Sequence, residues 1–448
     1  MGFSLDAAQH REFMERVRLL GHDLSSIEQG KECCTYITLP TIGDARRVLS
    51  MASAASRPER QKTFFNGPIA ARRRLGQGMH DRGEAVLFAA GTIDEADLEG
   101  QSRHFPIHVK AISVLEKTIA AGETWDVSVR GEAWDLDDME ELYVTLNVGT
   151  LVIEPGAALV VRGNVFSLLC QQIIHHGNAG EGAFQIGILP TPFSADFGHG
   201  PLDGAHGVDG PAGRDGLDGR KLEVERTLLG FRLREEANLS VMNGTPGEEG
   251  KPGTDGSRGR NGGMCKLAEL TLRSVTGHLT VFAGAGEGGD GGRGGHGGDG
   301  GRGGDAGDGH KLWHSVIRGG NGGAGGHGGD GGKGGHGGSG GLASNIYIDV
   351  PGGDESKITR IARPSRNGRA GPGGLGGTGG AGGRQGNGPE VEFDGTPGQT
   401  GASGIPGQAG ASGRSRPAPW IFLNDKADGD QLLAHEPESS RTVSIAAE

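Results

Sequence analysis

The first pattern in the chain is an alternation of apolar and polar residues that begins near residue 105. It runs through PIHVKAISVL, ETWDVSVRG, ELYVTLNVGTLVIEPG and AALVVRGNVFSLL, with glycine at several of the breaks. Such alternation is typical of short β-strands that bury one face. Residues 148–164 place a strand on each face and glycine at each corner, as in a β-solenoid. We therefore predict a mainly β fold built on a solenoid-like stack of strands.

Helices are expected before the strands. Phe13, Val17 and Leu20 form one apolar stripe, which predicts an amphipathic helix over residues 4–20. Ser4 is its expected N-cap, and Gly21 ends it. A second helix is expected over 44–55. These helices make the N-terminal region a small mixed α/β domain, apolar enough to cover the first strands or to dock on a neighbour.

Glycine sets the pattern in the second half of the chain. Between residues 284 and 342 it occupies two of every three positions, and polar residues such as Asp290, Arg293 and His296 fill the third. A strict three-residue period fits the left-handed polyproline-II helix, which has no internal hydrogen bonds. Because glycine lacks a Cβ, two edges of each such rod can approach neighbouring backbones and supply those bonds. The sequence predicts a bundle of polyglycine-II helices.

Two other structures share this composition. A flexible glycine-rich linker is the usual one, but here the phase hardly slips and strand-like segments flank the runs. A collagen triple helix is the other, because residues 244–263 and 395–413 follow a G-X-Y pattern. Those tracts are short, and the two richest runs contain no proline, which disfavours a continuous three-chain helix.

On repeats such as GEGGDGGRGGHGGDGGRGGDAGDG, the chain resembles proteins built as polyglycine-II bundles. These are the receptor-binding tips of some phage tail fibres and the springtail antifreeze proteins. The resemblance covers about residues 204–413 and rests on repeat character. It implies a rod-bundle architecture and assigns no functional residue. Unlike those families, this chain separates its runs by strand-like segments and begins with ordinary sequence over residues 1–200.

A larger unit recurs after residue 200, in which a short strand leads into a glycine run. Predicted strands at 238–242, 278–282 and 313–317 precede runs, and one at 345–350 follows a run. A straight run would extend about 70 Å, against about 17 Å for a short strand. We therefore expect the runs to fold back into roughly ten or more short rods. Runs with two glycines per turn should lie inside, and those with one, at 204–219, 244–259 and 395–413, at the periphery.

These patterns divide the chain into four parts. Residues 1–104 form a mixed helical region for attachment or assembly, and 105–200 form a β-rich, solenoid-like domain. Residues 201–416 hold the repeats of strand and glycine run, and 417–448 form a C-terminal tail.

Composition limits the partners and the compartment. The 44 basic and 56 acidic residues give a net charge of −12, which disfavours nucleic acid as a partner. No segment reaches the roughly 20 apolar residues of a membrane span, so we expect no membrane insertion. The start of the chain lacks the features of a secretory signal. We expect a cytoplasmic or virion-associated protein with small, buried, reduced cysteines at Cys33, Cys34, Cys170 and Cys265.

Histidines are the candidate metal ligands. Successive third-position residues on one rod lie about 9 Å apart, so chelation would need neighbouring rods. The alternative is a mixed-charge exposed edge of His, Asp, Arg and Lys that keeps glycine rods from stacking without limit. We predict no metal and no cofactor. The histidines considered are His175, His176, His199, His206, His296, His310, His314, His327 and His336.

Two charged segments are the other candidate sites. The first is a basic stretch over residues 57–82. It is either a site for an anion or a partner, or a solvated loop. It could also form internal salt bridges with the acidic residues of 94–99 and 135–141. The carboxylates fit acid–base chemistry or an acidic surface turn. No P-loop, G-x-S-x-G or H-E-x-x-H motif is present, and we assign no catalytic residue. The basic residues are Arg57, Arg60, Lys62, Arg72, Arg73, Arg74 and Arg82, and the carboxylates are Asp135, Asp137, Asp138, Glu140 and Glu141.

We therefore expect a non-enzymatic structural or binding protein that presents a rigid surface for recognition or assembly. Its partner would be another protein, further copies joined through the N-terminal region, or a surface receptor or glycan. The alternative is an enzyme, or an accessory subunit of one, with its site in or near residues 1–200.

Overall fold

The computed structural model describes residues 5–51, 60, 87–88, 105–136, 141–177, 183–191, 200–234, 239–313 and 315–427. The chain begins with helices α1 (Ala7–Leu19) and α2 (Leu24–Glu28), strand β1 (Cys33–Leu39) and helix α3 (Ile42–Leu49). Helix α1 starts later than predicted because Asp6, not Ser4, is its N-cap. The Asp6 carboxylate accepts hydrogen bonds from the amides of Ala8 and Gln9. Helix α3 starts before the predicted residue 44 and ends at Leu49, short of the predicted residue 55, because Ser50 is already extended. Residues 52–55 lie outside the described part.

The strands follow the predicted alternation. From residue 105 onward they are β2 (Ile107–Ile119), β3 (Thr124–Asp126), β4 (Leu142–Ile153), β5 (Ala158–Arg162), β6 (Val165–His175), β7 (Ile186–Leu189), β8 (Val224–Thr227), β9 (Gly230–Leu233), β10 (Ala268–Leu272), β11 (Val275–Thr276), β12 (Leu279–Gly284), β13 (Ile346–Asp349), β14 (Ile358–Arg363) and β15 (Ile421–Leu423).

Two sheets contain most of these strands. The larger has the order β1-β2-β4-β6-β10-β13-β15, with β11 also beside β6, and the smaller has the order β14-β12-β7-β5-β3. Neighbouring strands in both sheets are parallel, except that β1 pairs antiparallel with β2. Strands β8 and β9 form a separate antiparallel hairpin. The described part of the molecule is therefore mainly β.

The chain alternates between the two sheets. It passes from β2 to β3, from β4 to β5 and from β6 to β7, each time crossing from the larger sheet to the smaller. After each of β7, β12 and β14 it leaves as a pair of glycine-rich runs and returns to the larger sheet at β10, β13 and β15. The main core lies between the sheets and consists of Val, Leu and Ile from both. Burial of this apolar area is the main source of hydrophobic stabilisation.

The N-terminal helices cover the outer face of the larger sheet. Helix α1 contacts β4 and β6, and the Asn147 side chain donates a hydrogen bond to the Phe13 carbonyl oxygen at 3.2 Å. A second apolar cluster joins Leu20, Val48 and Leu49 to Tyr143 and Tyr347 of the sheet. Strand β1 pairs with β2 and is itself an edge strand of the larger sheet.

The glycine-rich runs are six straight rods in the described residues. We number them rod 1 (202–220), rod 2 (243–263), rod 3 (286–309), rod 4 (319–342), rod 5 (366–387) and rod 6 (395–414). Rods 3 and 5 keep one register from the Gly288–Arg366 bond to the Gly309–Asn387 bond. The prediction that each run folds back into shorter rods is therefore wrong. A run need not match the strand stack in length, because the following run carries the chain back.

The six rods pack in two rows. Rods 1, 3 and 5 form one row and rods 2, 4 and 6 the other, with parallel neighbours within a row and antiparallel neighbours between rows. Rods 3 and 4 have two glycines per turn and lie in the middle of their rows, as predicted. Rods 1, 2 and 6 have one glycine per turn and lie at row ends, also as predicted. Rod 5 also lies at a row end, although it has two glycines per turn.

Two of the predicted strands are wrong. Residues 238–242 were expected to form a strand, but Leu239–Met242 is a 3-10 turn. The described residues 313 and 315–317 lie in a turn, where the Lys311–Val316 bridge and two backbone hydrogen bonds between His310 and Ile317 join its two sides. Both segments lie where one rod ends and the next begins, so neither joins a sheet.

Candidate functional site at the end of the rod bundle

Polar side chains link the rods within each row. The side chain of Asp290 in rod 3, for example, accepts a hydrogen bond from the Arg369 amide of rod 5 at 2.7 Å. Equivalent acceptors on rods 1–4 bond amides at 2.6–3.2 Å. They are Asp203, His206, Asp209, Asp215 and Asp218 in rod 1, Asn243, Asp255 and Asn261 in rod 2, Asp290, His296, Asp299, Asp305 and Asp308 in rod 3, and Asn321, His327, Asp330, His336 and Ser339 in rod 4.

These contacts add a role to the polar third positions. The sequence predicts that they form a charged edge facing solvent, and Asp290 and Asp299 are exposed. Many of them also accept an amide that glycine packing leaves without a backbone partner. The corresponding positions of rods 5 and 6 include Leu375, Ala381, Ala402 and Ile405, which cannot accept. The linking pattern therefore stops at the last rod of each row.

Some of the linking carboxylates are held ionised. Two donors from Thr378, the backbone amide first and then the hydroxyl, lower the pKa of Asp299 below its ordinary value. The Arg384 amide, followed by the Arg302 side chain, lowers the pKa of Asp305. Hydrogen bonds to the charged form favour ionisation. The bonds therefore help to keep these acceptors ionised near neutral pH.

The far ends of the rods are joined by three connections, which together form what we call the tip. The tip comprises the described residues of 221–242, 310–318 and 388–394. Its connections touch one another: the Trp313 amide donates to the Phe231 carbonyl oxygen at 3.3 Å, and Lys311 lies 3.7 Å from Glu390. The Arg318 side chain also donates to the Glu392 carbonyl oxygen at 2.9 Å. The tip is a continuous surface.

Exposed apolar side chains are concentrated at the tip. Of twelve large hydrophobic residues exposed in the described part of the chain, seven lie there. Soluble proteins rarely expose apolar side chains as a group unless the group binds something. The other five are Tyr36, Val208, Leu217, Leu375 and Ile405, and the seven are Leu228, Leu229, Phe231, Val241, Trp313, Val316 and Val391.

A groove separates the β8–β9 hairpin from the connection between rods 3 and 4. Its volume is about 560 Å³, which lies within the range of small-ligand sites. Phe231 and Trp313 line it together with Val224 and Leu312, and His310 and Lys311 are polar groups at its wall. Apolar walls with a few polar groups can bind an extended or aromatic group.

The histidines do not converge on a metal site in the described residues, where no group of three or more His, Cys, Asp or Glu side chains could hold an ion. Histidines 206, 296, 327 and 336 each accept an amide at Nδ1. His175 is buried with its Nδ1 2.9 Å from the Ile153 carbonyl oxygen, and His176 is exposed. His310 lines the tip groove, and His199 and His314 lie outside the described residues.

The basic stretch supplies one buried ion-pair network. The fully buried Arg60 side chain bonds the carboxylates of Glu269, Asp349 and Asp425, the last at 2.6 Å. Its guanidinium also lies 4.9 Å from the centre of the Tyr347 ring. Arg60 is therefore an internal salt-bridge partner, although its acids are not those predicted at 94–99 or 135–141. The other six basic residues lie outside the described part.

The acidic segment shows no catalytic arrangement in its described residues. Asp135 adopts a left-handed conformation after a 3-10 turn. Glu141 pairs with Lys266 at 2.8 Å and accepts a hydrogen bond from the Tyr143 hydroxyl. Asp137, Asp138 and Glu140 lie outside the described part.

The cysteines differ from expectation at two positions. All four are free, and burial raises the pKa of Cys170 to about 12, which makes it unreactive. Cys265 is also buried, but Cys33 is half-buried and Cys34 is exposed on β1, where alternate residues face solvent. No helix in the described ranges is long and apolar enough to cross a membrane.

Comparison with known proteins does not place this chain in a family. No family model matches the chain, and neither does any curated protein. Among solved structures, a springtail antifreeze protein from Granisotoma rainieri aligns over 46% of this chain and 94% of its own, at 26% identity and a TM-score of 0.09. That protein is described as a nine polyproline type II helical bundle whose crystal waters match the ice lattice. A TM-score this low carries no argument about fold or function.

Proposed function

We propose that this protein is a non-enzymatic binding protein whose recognition surface is the tip. In this proposal the alternating strands form a β-solenoid, and the six rods are polyglycine-II helices that hold the tip away from it. Rod 3, over residues 286–309, would extend roughly 70 Å at about 3.1 Å per residue. Side-chain links within rows and backbone bonds between rows make such a spacer rigid.

One observation carries the proposal, the grouping of seven of the twelve exposed large apolar side chains at the tip. The rods between tip and sheets have glycines whose added Cβ would clash with neighbouring carbonyl oxygens, as at Gly294, 2.1 Å from the Gly332 oxygen. The rods therefore have little room for side chains at their glycine positions, whereas the connections between rods can carry side chains of any size. Binding residues are commonly carried on loops positioned by a rigid scaffold.

We also propose that the protein assembles through its N-terminal region. Residues 7–49 already cover the outer face of the larger sheet, and exposed Tyr36 and Cys34 lie on β1 at the edge of that sheet. An edge strand of this kind can pair with another chain. Assembly at this end would leave the tip outward.

The test is binding of the fluorescently labelled full chain to intact cells of a panel of bacteria and eukaryotes. We expect saturable retention on at least one cell type. Replacing both apical leucines, Leu228→Ser with Leu229→Ser, should abolish it. Leu375→Ser on rod 5 is the matched control, because Leu375 is 65% exposed and Leu229 68%. Retention that survives the tip change, or that follows a variant in residues 1–200, would contradict the proposal.

A further inference from the structure

We infer that the tip binds the interface of a lipid bilayer, with the β8–β9 hairpin entering it. This inference rests on the proposed function of the tip and names its partner. It is carried by the order of side chains along the hairpin. From the apex downward, the side chains are aliphatic, then aromatic beside one arginine, then ion-paired.

The apex is aliphatic. Leu228 and Leu229 occupy the turn between β8 and β9, and Leu228 is fully exposed. Apolar side chains exposed in this way are costly in water. A fluid hydrocarbon phase can surround such a turn without a complementary shape, whereas a protein partner would need a fitted recess.

The next level is aromatic. Phe231 pairs with Arg226 across the hairpin, one pair below the Thr227–Gly230 pair that flanks the apex. Trp313 lies at the same level, because its amide bonds the Phe231 carbonyl oxygen and its side chain lies against Gly230. Both rings are about half-exposed, Phe231 at 47% and Trp313 at 44%. Half-buried aromatic rings are characteristic of the boundary between acyl chains and headgroups.

The base of the hairpin carries paired charges. Arg232 bonds Glu225, and Arg234 lies 3.0 Å from Glu223, on the opposite face of the hairpin from Phe231. Arg226, opposite Phe231, is a third arginine, so the hairpin over residues 223–234 carries one net positive charge, which adds a modest attraction to anionic lipids. The inferred contact therefore depends mainly on apolar insertion, and anionic lipid strengthens it.

This contact differs from membrane spanning. The sequence predicts no membrane insertion because it lacks an apolar stretch of about 20 residues. A shallow contact at the bilayer interface requires apolar side chains and flanking polar groups, and no such stretch. We therefore expect shallow insertion of the β8–β9 hairpin into the bilayer interface and no membrane-spanning segment.

The experiment is flotation of the full chain with phosphatidylcholine vesicles, with and without phosphatidylserine. We expect flotation with both kinds of vesicle, somewhat stronger with phosphatidylserine at low salt and persisting with phosphatidylcholine alone in high salt. Leu228→Ser with Leu229→Ser should lower the partition coefficient at least about tenfold. Leu375→Ser with Ile405→Ser, which alters similarly exposed residues on rods 5 and 6, should leave it unchanged.

A second measurement reports the depth of the hairpin. Brominated acyl chains quench tryptophan fluorescence on contact, so wild-type fluorescence should fall with brominated vesicles. Trp313→Phe, which keeps an aromatic ring, should still float but lose the quenching. Failure of the wild type to float, equal loss in the Leu228/Leu229 and Leu375/Ile405 variants, or flotation that requires phosphatidylserine would overturn the inference. If vesicles fail while cell retention still depends on Leu228 and Leu229, the tip has a non-lipid receptor and the proposed function stands.

Discussion

Asp299 in rod 3 accepts hydrogen bonds from both the backbone amide and the side-chain hydroxyl of Thr378 in rod 5, at 2.7 and 2.8 Å. Asn321 in rod 4 makes the same two bonds with Thr396 in rod 6, at 2.9 and 3.0 Å. The two links have the same geometry, but the acceptor is an ionisable carboxylate at Asp299 and a neutral amide at Asn321. The pair provides an internal control for the role of charge between rods.

This pair predicts a local dependence on pH. The Thr378 donors lower the pKa of Asp299, so its stabilising contribution is present above the ordinary aspartate pKa of about 3.9 and is lost as pH falls through the lower folded value. The amide resonance of Thr378 should titrate below about pH 4, and that of Thr396 should not. Asp299→Asn should keep the link and abolish the titration. Identical responses at both threonines would show that the link is not as described.

Replacing an interior glycine of a rod by alanine should destabilise the protein. Gly294→Ala places a Cβ 2.1 Å from the Gly332 carbonyl oxygen, and we expect a loss of about 3 kcal/mol in the free energy of unfolding. Arg293→Ala, one residue earlier, removes a half-buried side chain that lies 3.5 Å from Asp209, and it should cost less than about 1 kcal/mol. Thermal or denaturant unfolding measures both. Equal costs would be incompatible with close rod packing.

Removing the buried arginine should be strongly destabilising. Arg60→Ala leaves the carboxylates of Glu269, Asp349 and Asp425 without their shared cation, at a cost of about 3–5 kcal/mol. Arg232→Ala breaks an exposed pair and should cost less than about 1 kcal/mol. Urea unfolding compares the two. A mild effect at Arg60 would indicate that the network is not formed in solution.

Assembly can be tested by sedimentation. The full chain should sediment as a homo-oligomer or larger complex, because the proposed contact surface lies in the N-terminal region. A chain that begins at Phe105 should be monomeric or poorly soluble, since removal of the helices uncovers apolar Tyr143 and Tyr347. If the full chain and the chain that begins at Phe105 are both soluble monomers, residues 1–104 have no attachment role.

The sequence predicts those parts of the fold whose cause is local. Alternation in residues 107–119 and 142–153 reflects a buried face, and the glycine period reflects rods that touch on two edges. The β8–β9 hairpin escaped prediction because its turn is Leu228-Leu229, without the glycine or asparagine that usually marks a short turn. The tip groove was missed for a related reason: Phe231 and Trp313 meet only after two rods have brought their connections together.

The links between rods could not be located from the sequence either. Asp299 and Thr378 are 79 residues apart, and their pairing depends on which rods share a row. Acceptors at every third position were visible in the sequence, but an exposed charged edge has the same composition. The links end at rods 5 and 6 because those rods end the rows, which the sequence alone does not show.

The central claim is that the rods form an ordered, hydrogen-bonded bundle, and amide hydrogen exchange at single glycines tests it most directly. The Gly294 amide donates to the Pro372 carbonyl oxygen at 2.9 Å and the Gly328 amide to the Ala402 oxygen at 2.9 Å, whereas those of Gly376 and Gly379 in rod 5 donate to no described residue. We predict slow exchange at Gly294 and Gly328 and fast exchange at Gly376 and Gly379. Uniformly fast exchange at all four would contradict the account and identify the runs as linkers.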